Sequence, residues 1–274
     1  LVNGQEADLI SVQDRGLLYG HSLFETIAVK NGQALCLDEH LLRLEKGAIA
    51  LGIPCDRDLI HREVLQMVTD VGRAILRVML TIGSGGRGYA SPQDPLATRI
   101  LTLHEWPVDK GDASHSLRVG IASHKLSCNA PLAGHKHSNR LDQILIRNAW
   151  EDHWDEALVM DQNDQLIEAT QANVFVRFGE LVLTPKLDHA GVAGIMRGLI
   201  LQHAYELPFT IREETIPIRE LVKADEVVLT NSIIGARVVG SIEANRLELN
   251  KTFAANEFKL KTQLISLLEQ HGAI

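Results

Sequence analysis

Apolar positions recur along this chain with two periods, and the switches between them outline its elements. Residues 24–29 are rich in β-branched and aromatic side chains, Asn31-Gly32 is a tight-turn signal, and residues 34–37 supply the returning strand of a hairpin. From Asp38, placed as an N-cap, the spacing changes to three and four. Leu41, Leu44, Ala48 and Leu51 then share one stripe and predict a helix over 38–51. Leu59, Ile60, Val64, Leu65 and Val68 predict a second helix over 57–71. Residues 74–82 and 98–104 read as strands joined by a Gly/Pro-rich loop.

Over 105–116 the periodicity stops in a polar stretch containing Pro and Gly. This divides the chain into an expected small N-terminal domain (1–107), a linker (108–116) and a larger domain (117–274). The larger part begins with a strand over 117–122, a loop, and a helix from about Asn139, with Ser138 as its cap and Leu141, Ile144, Leu145 and Ala149 as its apolar stripe. Short strands follow over 156–160, 166–169, 173–177 and 181–184, then a helix near Gly194 and a closing helix over 252–268. Strands and helices mixed in this way give an α+β class with two domains and an expected site between them.

Composition narrows the function classes. The net charge of −8 argues against a nucleic-acid binder, which carries a basic surface. No apolar run approaches the roughly 20 residues of a membrane span, and residues 1–8 lack the features of a signal peptide. Cys36, Cys55 and Cys128 are odd in number and form no CxxC pair. They read as buried small hydrophobes in a reducing cytoplasm, not as a disulfide or zinc scaffold.

Chemistry enters with Lys136, between His135 and His137 and ahead of a helical stretch. Such a lysine is either a solvated loop residue or, when desolvated or crowded by cations such as His135, His137 and Arg140, a nucleophile. His135-x-His137 has no third ligand nearby and is not read as a metal site. Glu168 interrupts an apolar strand pattern, so it is either on a solvent face or paired with a buried cation. Gly83-Ser84-Gly85-Gly86-Arg87-Gly88 matches GxGxxG, but the following Tyr89-Ala90-Ser91-Pro92 cannot open a helix, so the dinucleotide reading is rejected. The segment reads instead as a hairpin tip, or as a loop presenting Arg87 to a carboxylate. Gly191 to Arg197 is a glycine turn entering a helix, whose N–H groups suit an anion, and Thr230 to Gly235 offers hydroxyls and N–H groups after a strand.

Together these segments resemble the fold-type IV pyridoxal-phosphate enzymes over nearly the whole chain and in the same order. The resemblance rests on Asp14-Arg15-Gly16-Leu17-Leu18-Tyr19-Gly20 with Leu23-Phe24-Glu25-Thr26, on His40-Leu41-Leu42-Arg43-Leu44, on the Lys136 and Glu168 segments, on Gly194-Ile195-Met196-Arg197 and on Asn231-Ser232-Ile233. It implies a small N-terminal α/β domain and a larger domain with a β-barrel-like core. It also implies pyridoxal 5′-phosphate held by Lys136 as a Schiff base, a ring-nitrogen partner in Glu168, and phosphate contacts from Arg43, Gly194, Ile195, Met196, Ser232 and Ile233. Arg87, Tyr19 and Thr26 are the expected substrate contacts, and a homodimer is the expected assembly. Ser84 to Tyr89 and Leu132 to Leu141 are most similar to the lyase members of the group, which release pyruvate from 4-amino-4-deoxychorismate. Branched-chain or D-amino-acid transamination on the same scaffold is the alternative.

Overall fold

A computed structural model describes residues 1–107, 115–244, 249–254 and 258–274. The chain separates into two compact units, one of residues 1–108 and 135–139, the other of 109–134 and 140–274. Of the expected linker, only His115 and Ser116 are among the described residues.

The first unit is a four-stranded antiparallel sheet covered by two helices. Its strands are β1 (Ser22–Lys30), β2 (Gln33–Ala34), β3 (Arg73–Thr81) and β4 (Thr98–Glu105), in the order β2-β1-β3-β4. Lys30 pairs with Gln33 across Asn31 and Gly32, whose φ values of 49° and 77° are those the two-residue turn requires. Ahead of β1 lies a five-residue helix, α1 (Arg15–Tyr19), and after the hairpin come α2 (Leu37–Leu51) and α3 (Arg57–Val68). Leu41, Leu44 and Ala48 of α2 and Ile60, Val64 and Val68 of α3 bury against Leu23, Ile27, Val29, Leu76, Val78, Leu80 and Leu101 of the sheet. Gly47 permits the close approach of α2, because a Cβ there would stand 2.8 Å from the Leu23 side chain.

Several expectations are corrected in this unit. Helix α2 is entered through Cys36, at φ 52°, and Asp38 lies inside its first turn. Helix α3 stops at Val68, and its side chain at Leu65 is exposed while Glu63 is buried, tied to Arg99 at 2.8 Å. None of the three cysteines is buried: Cys36 and Cys55 are half-exposed and Cys128 is exposed.

The second unit is a ten-stranded mixed sheet. In chain order its elements are β5 (Leu117–Ile121), α4 (Leu141–Ala149), β6 (Glu156–Met160), β7 (Gln165–Ala169), β8 (Asn173–Phe178) and β9 (Leu181–Pro185). There follow α5 (Ile195–Gln202), a 3-10 turn (Ala204–Glu206), β10 (Thr210–Glu214), β11 (Ile216–Pro217), a second 3-10 turn (Ile218–Lys223), β12 (Glu226–Asn231), β13 (Gly235–Ala244), β14 (Leu249–Thr252) and α6 (Lys259–Gln270). The ladder order is β10-β9-β8-β12-β13-β5-β6-β7-β11, with β14 on β13. Side chains from β5, β6, β7, β8, β11, β12 and β13 converge on one apolar core, so the sheet curls around its own interior in barrel-like fashion.

The closing helix begins at Lys259, not near Thr252, which belongs to β14. Helix α4 begins at Leu141, and Ser138 does not cap it; the Ser138 N–H donates to Ser22 O in the first unit. Its apolar stripe does not face a core. Leu141, Ile144 and Leu145 are 72%, 52% and 51% exposed, and Ile146 is the buried residue. Among the described residues no helix is long and apolar enough to cross a membrane.

Candidate active site

In the first unit, residues 136–138 complete the edge of β1. Phe24 N–H donates to Lys136 O at 3.0 Å, Leu23 pairs with His137, and Ser138 returns to Ser22. β1 therefore spends one end of this edge on β2 and the other on the lysine segment. Gly134, with φ 80°, turns the chain ahead of it. The Lys136 ammonium nitrogen lies 4.5 Å from the centre of the Phe24 ring, which also carries the Arg77 guanidinium at 4.4 Å. Thr26 is half-buried and pairs across strands with Arg77, so Phe24, Thr26 and Arg77 share one sheet face.

Under the opposite face of β1 sits a buried ionic cluster. Glu25 is 1% exposed and receives Arg43 Nε at 2.8 Å, Arg43 Nη2 at 2.5 Å and His40 Nδ1 at 2.6 Å. Burial alone would raise the Glu25 pKa, but the Arg43 charge and the hydrogen bonds from Arg43 and His40 overcome it and hold the carboxyl at about 2. Burial pushes His40 down from its ordinary value, with the charges of Arg43 and Lys136 acting in the same direction. Arg43 is thus both oriented and charge-balanced by Glu25.

The Gly83–Tyr89 segment is stapled by a residue that sequence reasoning did not single out. Arg15 is 1% exposed and donates Nη1 to Gly86 O at 3.1 Å and Gly88 O at 2.9 Å, the two carbonyls flanking the exposed Arg87. Arg15 also stacks over the Tyr19 ring at 4.7 Å, and the Tyr19 hydroxyl accepts from Gly88 N–H at 3.3 Å. Asp14 caps α1 and receives the hydroxyls of Thr81 and Thr98 at 2.9 and 2.8 Å, which anchors this helix to the strands on either side of the loop. The Asp14–Gly20 motif is therefore loop architecture, and its Asp, Arg and Tyr types are the signal for it.

The second unit gathers the other expected residues. Glu168, on β7, is 5% exposed, which excludes the solvent-face reading. Its Oε2 accepts from Val192 N–H at 2.8 Å. Arg140 is half-buried within its Coulomb reach. Asn173, missed in the sequence, holds the same turn from both sides: Nδ2 donates to Val192 O at 2.8 Å and Oδ1 accepts from Gly194 N–H at 3.1 Å. Beyond Gly194, Ile195 and Met196 open α5, where N–H groups have no helical carbonyl to meet. The Arg197 side chain runs away from that end to Pro185 O and Glu213.

On the neighbouring strand, Thr230 pairs with Asn173, and its hydroxyl is buried without a hydrogen-bond partner among the described residues. The Ile233 N–H turns back to Asn231 Oδ1 at 2.9 Å and so is engaged within its own loop, next to the half-buried Ser232. A buried carboxylate, a helix N-terminus and an orphaned hydroxyl fit a cation that also bears an anionic group.

The chain is similar to known proteins over most of its length. Residues 22–242 match the family Amino-transferase class IV. An aminodeoxychorismate lyase of Vibrio harveyi is 29% identical over 89% of this chain and 91% of its own. A putative branched-chain-amino-acid aminotransferase of Methanocaldococcus jannaschii is 27% identical over 96% and 92%. The crystal structure of 4-amino-4-deoxychorismate lyase from Pseudomonas aeruginosa superposes with a TM-score of 0.91 at 32% identity, covering 98% of both chains.

Proposed function

The chain belongs to the class IV aminotransferase family, and on that footing we propose that it is a pyridoxal-phosphate-dependent lyase that converts 4-amino-4-deoxychorismate to 4-aminobenzoate and pyruvate in folate biosynthesis. The observation that carries the lyase reading over transamination is the likeness to the Pseudomonas lyase, which spans 98% of both chains. We read the protein as a cytoplasmic homodimer with a small domain over 1–107, a linker over 108–116 and a cofactor-binding domain over 117–274. The exposed Leu141, Ile144 and Leu145 of α4, and Leu17 and Tyr89 in the first unit, support the dimer, because apolar side chains exposed in groups mark contact surfaces.

In this reading Lys136 holds the cofactor's aldehyde carbon, Glu168 pairs with its ring nitrogen, and its phosphate falls to Arg43, Gly194, Ile195, Met196, Ser232 and Ile233. When bound, the cofactor supplies a protonated aromatic ring that withdraws electrons from the carbon bearing the substrate amine. The chain's own residues do the rest. The substrate amine would take the place of Lys136 on that aldehyde carbon, and Lys136 Nζ, so released, removes the proton from the substrate carbon bearing the amine. Lysine becomes a base where desolvation or crowding by cations disfavours its charged form. The bond between the ring carbon and the enolpyruvyl oxygen then breaks, and the oxygen leaves with the bond electrons as the enolate of pyruvate, which takes up one proton to give pyruvate. The six-membered ring, having lost both the proton and this group, becomes aromatic. Buried Glu168, kept in place by Val192, supplies the negative charge that keeps the ring nitrogen protonated. Arg87 pairs with a substrate carboxylate, and Tyr19 and Thr26 line the substrate.

Incubating the purified holoenzyme with 4-amino-4-deoxychorismate is expected to release 4-aminobenzoate and pyruvate in equal amounts. Amino exchange between D-alanine or leucine and 2-oxoglutarate, with neither product formed, would establish an aminotransferase instead.

A further inference from the structure

Two helices of the second unit end at the same place, each in a histidine. His203 closes α5 and His271 closes α6, and Glu206, in the 3-10 turn after α5, lies between them. We propose that His203, Glu206 and His271 form a site for one divalent transition-metal ion of the zinc class, outside the cofactor site.

Three observations carry this. The donor atoms are already assembled: Glu206 Oε1 meets His203 Nδ1 at 2.8 Å, Glu206 Oε2 meets His271 Nε2 at 3.2 Å, and all three donors lie within 4.8 Å of one another. Ligand atoms on a tetrahedral zinc ion stand about 3.4 Å apart, so shifts of about 1 Å close the set. The imidazole rings lie one over the other, with centroids 3.7 Å apart and planes tilted by 33°, so an outward swing of the two rings brings both nitrogens onto one ion. Finally, α5 and α6 both present their negative dipole ends here, a potential that favours a cation.

Two imidazoles and one carboxylate select zinc, cobalt, nickel or copper over magnesium or calcium, and leave a fourth position to water. The side chains are 16%, 22% and 26% exposed, so an ion reaches them from solvent with movement of these side chains alone. On binding, the carboxylate exchanges its two N–H donors for the ion. Each imidazole gives up the proton on its ligating nitrogen: a neutral ring takes the tautomer protonated on the other nitrogen, and a charged ring releases one proton to solvent. The ion joins the end of α5 to the end of α6 and so pins the C-terminal helix. The sequence hides the site because His271 lies 65 positions beyond Glu206.

The test uses the holoenzyme, stripped with a chelator, dialysed, and titrated with ZnCl2 by calorimetry and with Co2+ by visible absorption. One equivalent per chain should bind, with tetrahedral cobalt bands and a Tm rise of roughly 5 °C at saturation. His271→Ala should weaken binding by more than about tenfold, leaving circular dichroism and cofactor absorbance unchanged. Glu206→Gln, which keeps the side-chain shape, should weaken it as well, and His104→Ala on the first unit should not. Absence of saturable binding in the parent protein, or equal affinity in His271→Ala, would overturn the site.

Discussion

Glu25 has almost no water around it and survives as an anion because three donors point at it. Its carboxyl is more acidic in the folded chain, near 2, than its ordinary value of 4.5. That stabilisation is present in full above 4.5 and drains away as pH falls from there toward 2. A difference of this size is worth on the order of 3 kcal/mol. Glu25→Gln is therefore expected to lower the urea midpoint at pH 7, and to flatten the loss of stability between pH 4.5 and 2. An unchanged acid limb would show that the cluster contributes nothing there. The residue types of this cluster were legible in the sequence only in part. Arg43 stands out in the His40–Leu44 motif, but its partner lies eighteen positions earlier on a strand where alternation hides a buried acid. Glu168 was ambiguous for the same reason, since a carboxylate on a strand pattern does not say which face it takes.

At the scale of elements, the decisive piece is the turn from Gly191 to Gly194, which Glu168 and Asn173 hold by three hydrogen bonds. Gly191 takes φ 87°, a conformation that side chains other than glycine rarely adopt. Removing the Asn173 amide leaves Val192 O and Gly194 N–H without this partner, at a cost of about 1–2 kcal/mol. Asn173→Ala should thus weaken pyridoxal-phosphate binding by roughly tenfold, measured by titrating the apoenzyme. An unchanged dissociation constant would remove the turn from the phosphate site. Periodicity located most strands and helices, because buried faces impose it. It missed element ends that side chains from elsewhere decide. Helix α4 was expected from Asn139 with Ser138 as cap, yet the 135–139 segment is claimed by β1, and the helix starts after it. The stripe of α4 was correct as a pattern and wrong as a core, since periodicity records an apolar face but not what covers it.

For the whole molecule, the proposed homodimer has its support in the exposed Leu141, Ile144 and Leu145. Sedimentation equilibrium should return a dimer, and Ile144→Glu should shift it toward monomer. A monomer at micromolar concentrations in the parent protein would contradict the proposed assembly. Fold class was legible because strand and helix patterns alternate across the entire chain, whereas the homodimer was expected only from the family resemblance and stays a proposal. The chemistry depends most on one amine. Reducing the holoenzyme with borohydride and mapping the modified peptide by mass spectrometry asks directly where the cofactor is attached. The pyridoxyl group is expected on Lys136, with the visible absorbance lost and Lys136→Ala unlabelled. Label on another lysine, or no label in a coloured protein, would contradict the account.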